Sequence, residues 1–116
     1  MHIEEIRTYC IQLSHVTEHF PFDSSTLVFK VGNKMFSLID VDHAEFINLK
    51  NDPELNIELR ERYDGIRPGY HMHKAHWNSV YLNEDVPREK ILALIQTSYE
   101  LILNSLPKKV RNELSI

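Results

Sequence analysis

At 116 residues the chain is sized for one domain built round one core. Hydrophobic content of 42% beside 26% charged residues excludes a disordered chain, and no apolar run approaches the ~18 to 20 residues of a membrane span. A net charge of −4 excludes a protein coated all over with positive charge for a polyanion.

The first ten residues carry Glu4, Glu5 and Arg7 and lack an apolar h-region, so they are not read as a secretory signal. Cys10 is the one cysteine and has no partner for an internal disulfide, which fits a reducing compartment. The expected location is cytoplasmic.

In chain order, Ile3, Ile6, Cys10 and Leu13 recur at helical spacing, predicting an amphipathic helix over 2–13. From Val16 the pattern changes. Phe20 and Phe22 flank Pro21, which suits an edge strand or a strand end. Residues 26–31 and 34–40 are β-branched and aromatic, and Gly32-Asn33 between them supplies the positive φ values of a two-residue hairpin turn. Residues 45–50 read as the next strand of the same sheet.

Asp52-Pro53-Glu54 marks a helix start: Asp52 caps free N–H groups, Pro53 suits the first position, and Glu54 favours the dipole. Leu55 and Leu59 are expected to face inward, and this helix is expected to end near Tyr63-Asp64-Gly65. Residues 66–71 and 77–82 follow as two strands. Pro87 opens a long helix in which Ile91, Ile95, Ser98, Ile102 and Leu106 form one stripe, widened by Leu92, Tyr99 and Leu103. Pro107 breaks it, leaving a short basic helical tail to Leu114. The order α-β(3-4)-α-β(2)-α predicts one α+β domain over residues 1–116, a two-layer α/β sandwich with a mainly antiparallel sheet.

Charge is unevenly spread. Residues 66–83 carry +2 with no acid and residues 101–116 carry +2, against −3 for each of 1–25 and 51–65. One basic face on an acidic protein is enough to bind a polyanion.

Three constellations carry chemistry. His71 and His73, on one side of a strand, with His76 from the turn, have the donors of a zinc-like site, though no cysteine joins them. Surface, packing or anion-binding roles fit the same histidines. Arg67, Tyr70, His71, Lys74, His76, Trp77 and Asn78 interleave cations with flat aromatic faces, as phosphate contact and base stacking require. Lys30 and Lys34 flank the hairpin turn and would add a basic wing. The competing reading makes Tyr70 and Trp77 core anchors and the lysines solvated edge residues. Catalysis finds little support: Cys10 lies on an apolar helix stripe, and no nucleophile elbow, phosphate loop or dinucleotide fingerprint is present. No catalytic residue, metal or cofactor is assigned.

Phe20-Pro21-Phe22, Val28 to Phe36, Asn48-Leu49-Lys50, Asp52-Pro53, Pro68-Gly69-Tyr70-His71-Met72, Lys74, His76-Trp77-Asn78, Ser98-Tyr99 and Leu106-Pro107-Lys108 occur in that order. This pattern resembles the MmcQ/YjbR family of small bacterial proteins over nearly the whole chain. The resemblance implies a fold similar to type III secretion chaperones and a non-enzymatic, DNA-binding role through a "double wing" of β elements. Carried over by position, Lys30, Lys34, Lys50, Tyr70, His71, Lys74, His76, Trp77 and Asn78 match the family pattern, while His73 departs from it. The expectation is a nucleic-acid-binding protein, monomeric or a weak homodimer. A protein-interaction or chaperone-like adaptor is the alternative, and it predicts an exposed apolar groove or dimer face. A small-molecule or metal site around His71 and His76 is the third reading.

Overall fold

The computed structural model describes residues 1–116. Its elements are α1 (Ile3–Gln12), β1 (Val16–His19), β2 (Thr26–Val31), β3 (Lys34–Asp40), β4 (Phe46–Lys50), α2 (Pro53–Arg62), β5 (Ile66–Pro68), β6 (Trp77–Tyr81), α3 (Arg88–Ser105) and α4 (Lys108–Glu113). The six strands form one fully antiparallel sheet in the order β1-β2-β3-β4-β6-β5. The α+β class and antiparallel sheet match the expectation, and no helix is long and apolar enough to cross a membrane.

The Gly32-Asn33 turn forms as the sequence predicts, with φ of 56° and 65°. It is not a free wing. A Cβ on Gly32 would lie 2.5 Å from Leu106 Cδ1 and 3.1 Å from Val110 Cγ1, so the tip is wedged under the junction of α3 and α4. A bulge sets both Phe36 and Ser37 against the step from Phe29 to Lys30.

One face of the sheet is covered. The stripe Ile91, Ile95, Ile102 and Tyr99 of α3 packs with Ile6 and Cys10 of α1 on Phe29, Val31, Phe36, Ile39, Ile47, Leu49 and Val80. Burying these side chains is the main driving force of the fold, about 1.5–3 kcal/mol for each large one. Ser98, at 0% exposure on that stripe, accepts from Lys50 N at 2.9 Å and donates to Phe36 O at 2.6 Å. It thereby satisfies polar backbone where β3 and β4 leave their ladder.

Two expectations fail here. Leu55 is 47% exposed, because α2 packs through Asn56 and partly buried Leu59 instead of a leucine stripe. The strand expected over 66–71 stops at Pro68, which lacks a ladder N–H, and residues 69–76 form a turn-rich loop.

Candidate functional site: the open face of the sheet

The second face of the sheet has no helix on it. Val28, Leu38 and Trp77 are buried there with partly buried Met35 and Met72, forming a small cluster apart from the main core. Leu38, Trp77, Met35 and Met72 floor a groove of about 630 Å³ whose lining also includes Phe22, Asp40, Phe46, Asn48, Tyr70 and His71. Strand alternation puts Leu38 and Asp40 of β3, and Phe46 and Asn48 of β4, on this side. Phe22, from the β1–β2 connection, and Tyr70, from the β5–β6 loop, stand at 65% and 60% exposure.

The β5–β6 loop that forms one wall is held by two polar networks. In the first, Ser79 Oγ donates to Asn48 Oδ1 at 2.5 Å and accepts from Tyr70 N at 2.9 Å, while Asn48 Nδ2 donates to Tyr70 O at 3.2 Å. Two buried strand residues therefore hold the backbone of Tyr70 from both sides. In the second, Asn78 Nδ2 donates to Asn56 Oδ1 at 2.8 Å, and Asn56 Nδ2 donates to Ala75 O at 3.1 Å. Arg60 Nε donates to Asn78 Oδ1 at 2.6 Å, and its Nη2 bonds the carbonyls of Lys74 and Trp77. Gly69 lets the loop return: an added Cβ would sit 2.8 Å from Trp77 Cβ and 2.9 Å from Trp77 O. His71 occupies the left-handed region at φ 57°.

Aromatic rings line up along the wall. The Tyr70 ring meets His71 at 4.1 Å and Phe46 at 6.0 Å, and Phe46 meets Tyr81 at 5.1 Å. Arg67 lies over Tyr81 at 3.9 Å and bonds Glu84 Oε1 at 2.6 Å. Its charge is thus spent within the protein.

The residues singled out from the sequence separate into three groups. Trp77 and Asn78 are buried, at 7% and 3% exposure, so Trp77 is an anchor beneath the groove and Tyr70 is the outward aromatic. Lys74 Nζ donates to Gly69 O at 2.6 Å, which closes its own loop. Lys30, Lys34 and Lys50 are half-buried or exposed and form no ion pair. They lie at the hairpin end of the sheet: Lys30 pairs with Met35, Lys34 with Val31, and Lys50 with Trp77. His71 and His76 are exposed, and the His73 and His76 rings stand 4.9 Å apart. The strand geometry expected to align His71 with His73 is absent, because both lie in the loop. No three histidine, cysteine, aspartate or glutamate side chains gather into a cluster able to hold a metal ion. Cys10 is buried, and burial pushes its thiol up to about 12, away from nucleophilic reactivity.

Sequence reasoning passed over Arg60, Asn56, Ser79 and the groove floor. The signal available was the alternation Leu38-x-Asp40 and Phe46-x-Asn48-x-Lys50, which names a face only once α3 is known to cover the other one.

The family model YjbR matches residues 11–101. The uncharacterized protein YbdF of Escherichia coli O157:H7 is 36% identical over 107 residues, covering 91% of this chain and 88% of that protein. The uncharacterized protein YjbR of Escherichia coli K12 is 32% identical, covering 96% of this chain and 95% of that protein. Among solved structures, protein DR2400 of Deinococcus radiodurans superposes with a TM-score of 0.91 at 40% identity, covering 98% of this chain and 88% of that one. A Pseudomonas syringae protein superposes at 0.74 with 28% identity, covering 88% and 99% respectively.

Proposed function

The chain belongs to the YjbR family, and from that premise we propose that it is a non-catalytic binding domain whose open-face groove takes an extended apolar segment of a protein partner. The observation that carries this reading is the groove itself, an apolar trough of about 630 Å³ flanked by the exposed rings of Phe22 and Tyr70. Exposed apolar surface gathered into one concavity is where soluble proteins bind, and aromatic side chains at its rim are typical energetic anchors. Arg60, Asn48 and Ser79 favour it further, since they fix the wall before any ligand arrives and so lower the ordering cost of binding.

The test is an array of short synthetic peptides of unrelated sequence, probed with the wild type and with Phe22→Ser and Tyr70→Ser. The expected result is selection of peptides with aromatic and aliphatic centres, weakened at least ~10-fold in each variant. Indifference to peptide hydrophobicity, or binding unchanged in both variants, would defeat it.

A second reading, DNA binding, is favoured by one observation: Lys30, Lys34 and Lys50 share one end of the sheet with no ion-pair partners. In that reading phosphates meet these lysines, and Tyr70 with His71 supplies a stacking surface. It predicts binding that weakens steeply with salt and is lost in Lys34→Glu and Lys50→Glu. Titration with labelled single-stranded and duplex DNA at low salt, showing no binding or no effect of either change, would remove it.

A further inference from the structure

The groove has a charge direction. Antiparallel pairing puts the starts of β1, β3 and β6 beside the ends of β2 and β4, so each end of the sheet gathers its own connections. At the hairpin end stand Lys30, Lys34 and Lys50, and the contact of Gly32 with Leu106 and Val110 brings the α4 segment carrying Lys108 and Lys109 to the same end. The acid nearest them in sequence, Asp52, is committed to capping α2 through Glu54 N and Leu55 N. At the opposite end, Asp40 lines the groove and Asp42 and Glu45 follow in the β3–β4 connection. His43 bonds Asp40 Oδ2 at 3.1 Å and offsets part of that charge, while Asp42 and Glu45 have no ion-pair partner.

We infer that the segment this groove takes is an extended peptide of opposite polarity, apolar in the middle, acidic at the end beside Lys30 and Lys50, and basic at the end beside Asp40 and Asp42. The inference rests on the groove-binding function proposed above and specifies its partner. The length fits. From Met35 to Asp40 the strand covers roughly 16 Å at ~3.3 Å per residue, which an extended peptide spans with about five residues. Polarity also separates this occupant from a nucleic acid. A strand of phosphates laid along the groove would gain at the lysine end and be repelled at the Asp40 end, whereas a segment with one acidic and one basic terminus gains at both. The apolar floor supplies the affinity and the two ends supply the orientation.

The test uses four synthetic peptides with one shared aromatic and aliphatic centre: acidic at one end and basic at the other, acidic at both, basic at both, and neutral at both. Binding to the full chain is followed by fluorescence anisotropy at low salt. The expected order puts the mixed peptide about tenfold above the neutral one, with the gap closing at high salt. Lys30→Glu with Lys50→Glu should erase that advantage, and exchanging the acidic end for lysine should restore it. Asp40→Asn, a milder change, should weaken the basic end alone. A nitroxide on the acidic end should broaden signals of Met35 and not of Thr26. Equal binding of all four peptides, or a nitroxide effect at Thr26, would overturn the polarity while leaving the groove function standing. Failure of every peptide, including the neutral one, would remove both.

Discussion

Arg60 Nε donates to Asn78 Oδ1 at 2.6 Å, joining the buried face of α2 to the start of strand β6. The same guanidinium reaches the carbonyls of Lys74 and Trp77, so one side chain holds the loop carrying Tyr70 against the sheet. Arg60→Ala takes the donor from the Asn78 amide oxygen and from the Lys74 carbonyl, while the Trp77 carbonyl keeps its bond from Gly69 N, at a cost of about 2–3 kcal/mol. Arg60→Lys should recover little, because an ammonium cannot reproduce the planar fork. Urea denaturation of the three proteins checks this; full recovery in the lysine variant would refute the fork geometry.

Gly69→Ala should destabilise by about 1–3 kcal/mol through overpacking. The new methyl meets Trp77 Cβ at 2.8 Å and the Trp77 carbonyl at 2.9 Å, and neither is a flexible chain end. Because Trp77 is the one tryptophan, its emission should shift red in the variant as the indole loses its fit beneath Met72. Unchanged emission and unchanged stability would show that the loop has room the structure denies it.

The bond between Asp40 and His43 sets a pH window at the rim of the groove. The His43 imidazole is raised above its ordinary 6.5, first by the hydrogen bond to Asp40 and then by its charge. The Asp40 carboxyl is lowered below its ordinary 3.8, chiefly by the bond to His43. The histidine contribution is complete below 6.5 and is lost as pH rises through the folded value. The aspartate contribution is complete above 3.8 and is lost as pH falls through its lowered value, so the bond is whole between those limits. An NMR titration should place the His43 midpoint above 6.5 and lower it toward that value in Asp40→Asn. A midpoint that does not move in the variant would contradict the pairing.

Cys10, fully buried against the sheet with its thiol pushed up to about 12, should react with an aromatic disulfide reagent only on unfolding. The rate should follow global opening and rise with urea. Fast labelling of the native protein at neutral pH would place the α1 stripe in solvent.

Much of the fold was legible in local chemistry. The Gly32-Asn33 turn fixed both strand ends of the β2–β3 hairpin, and Asp52-Pro53 placed the start of α2 to the residue. The stripe through Ile91, Ile95, Ser98 and Ile102 named the helix face that covers the sheet. Leu55 misled because α2 is anchored by an amide, Asn56, whose burial depends on Ala75 and Asn78 far along the chain. The sequence predicts a strand over 66–71 that is longer than the one formed, because alternation alone does not show that Pro68 ends the ladder and Gly69 passes against Trp77. The site was legible in part. Of the residues grouped in one segment by sequence, Tyr70 and His71 are exposed, whereas Trp77 is buried on the groove side of β6 and Asn78 is buried on its opposite face against Asn56 and Arg60. Which face of a strand is wet is a property of the layer packed on it, and no local pattern carries that information.

The single tryptophan beneath the groove floor offers the most direct measurement. A peptide with an aromatic and aliphatic centre is titrated into the wild type and Tyr70→Ser while Trp77 emission is recorded. A saturable blue shift in the wild type, displaced at least ~10-fold to higher concentration in the variant, is the expected result. No spectral change with any such peptide, alongside a salt-sensitive change with short DNA, would contradict the protein-binding role and leave the lysine end as the functional surface.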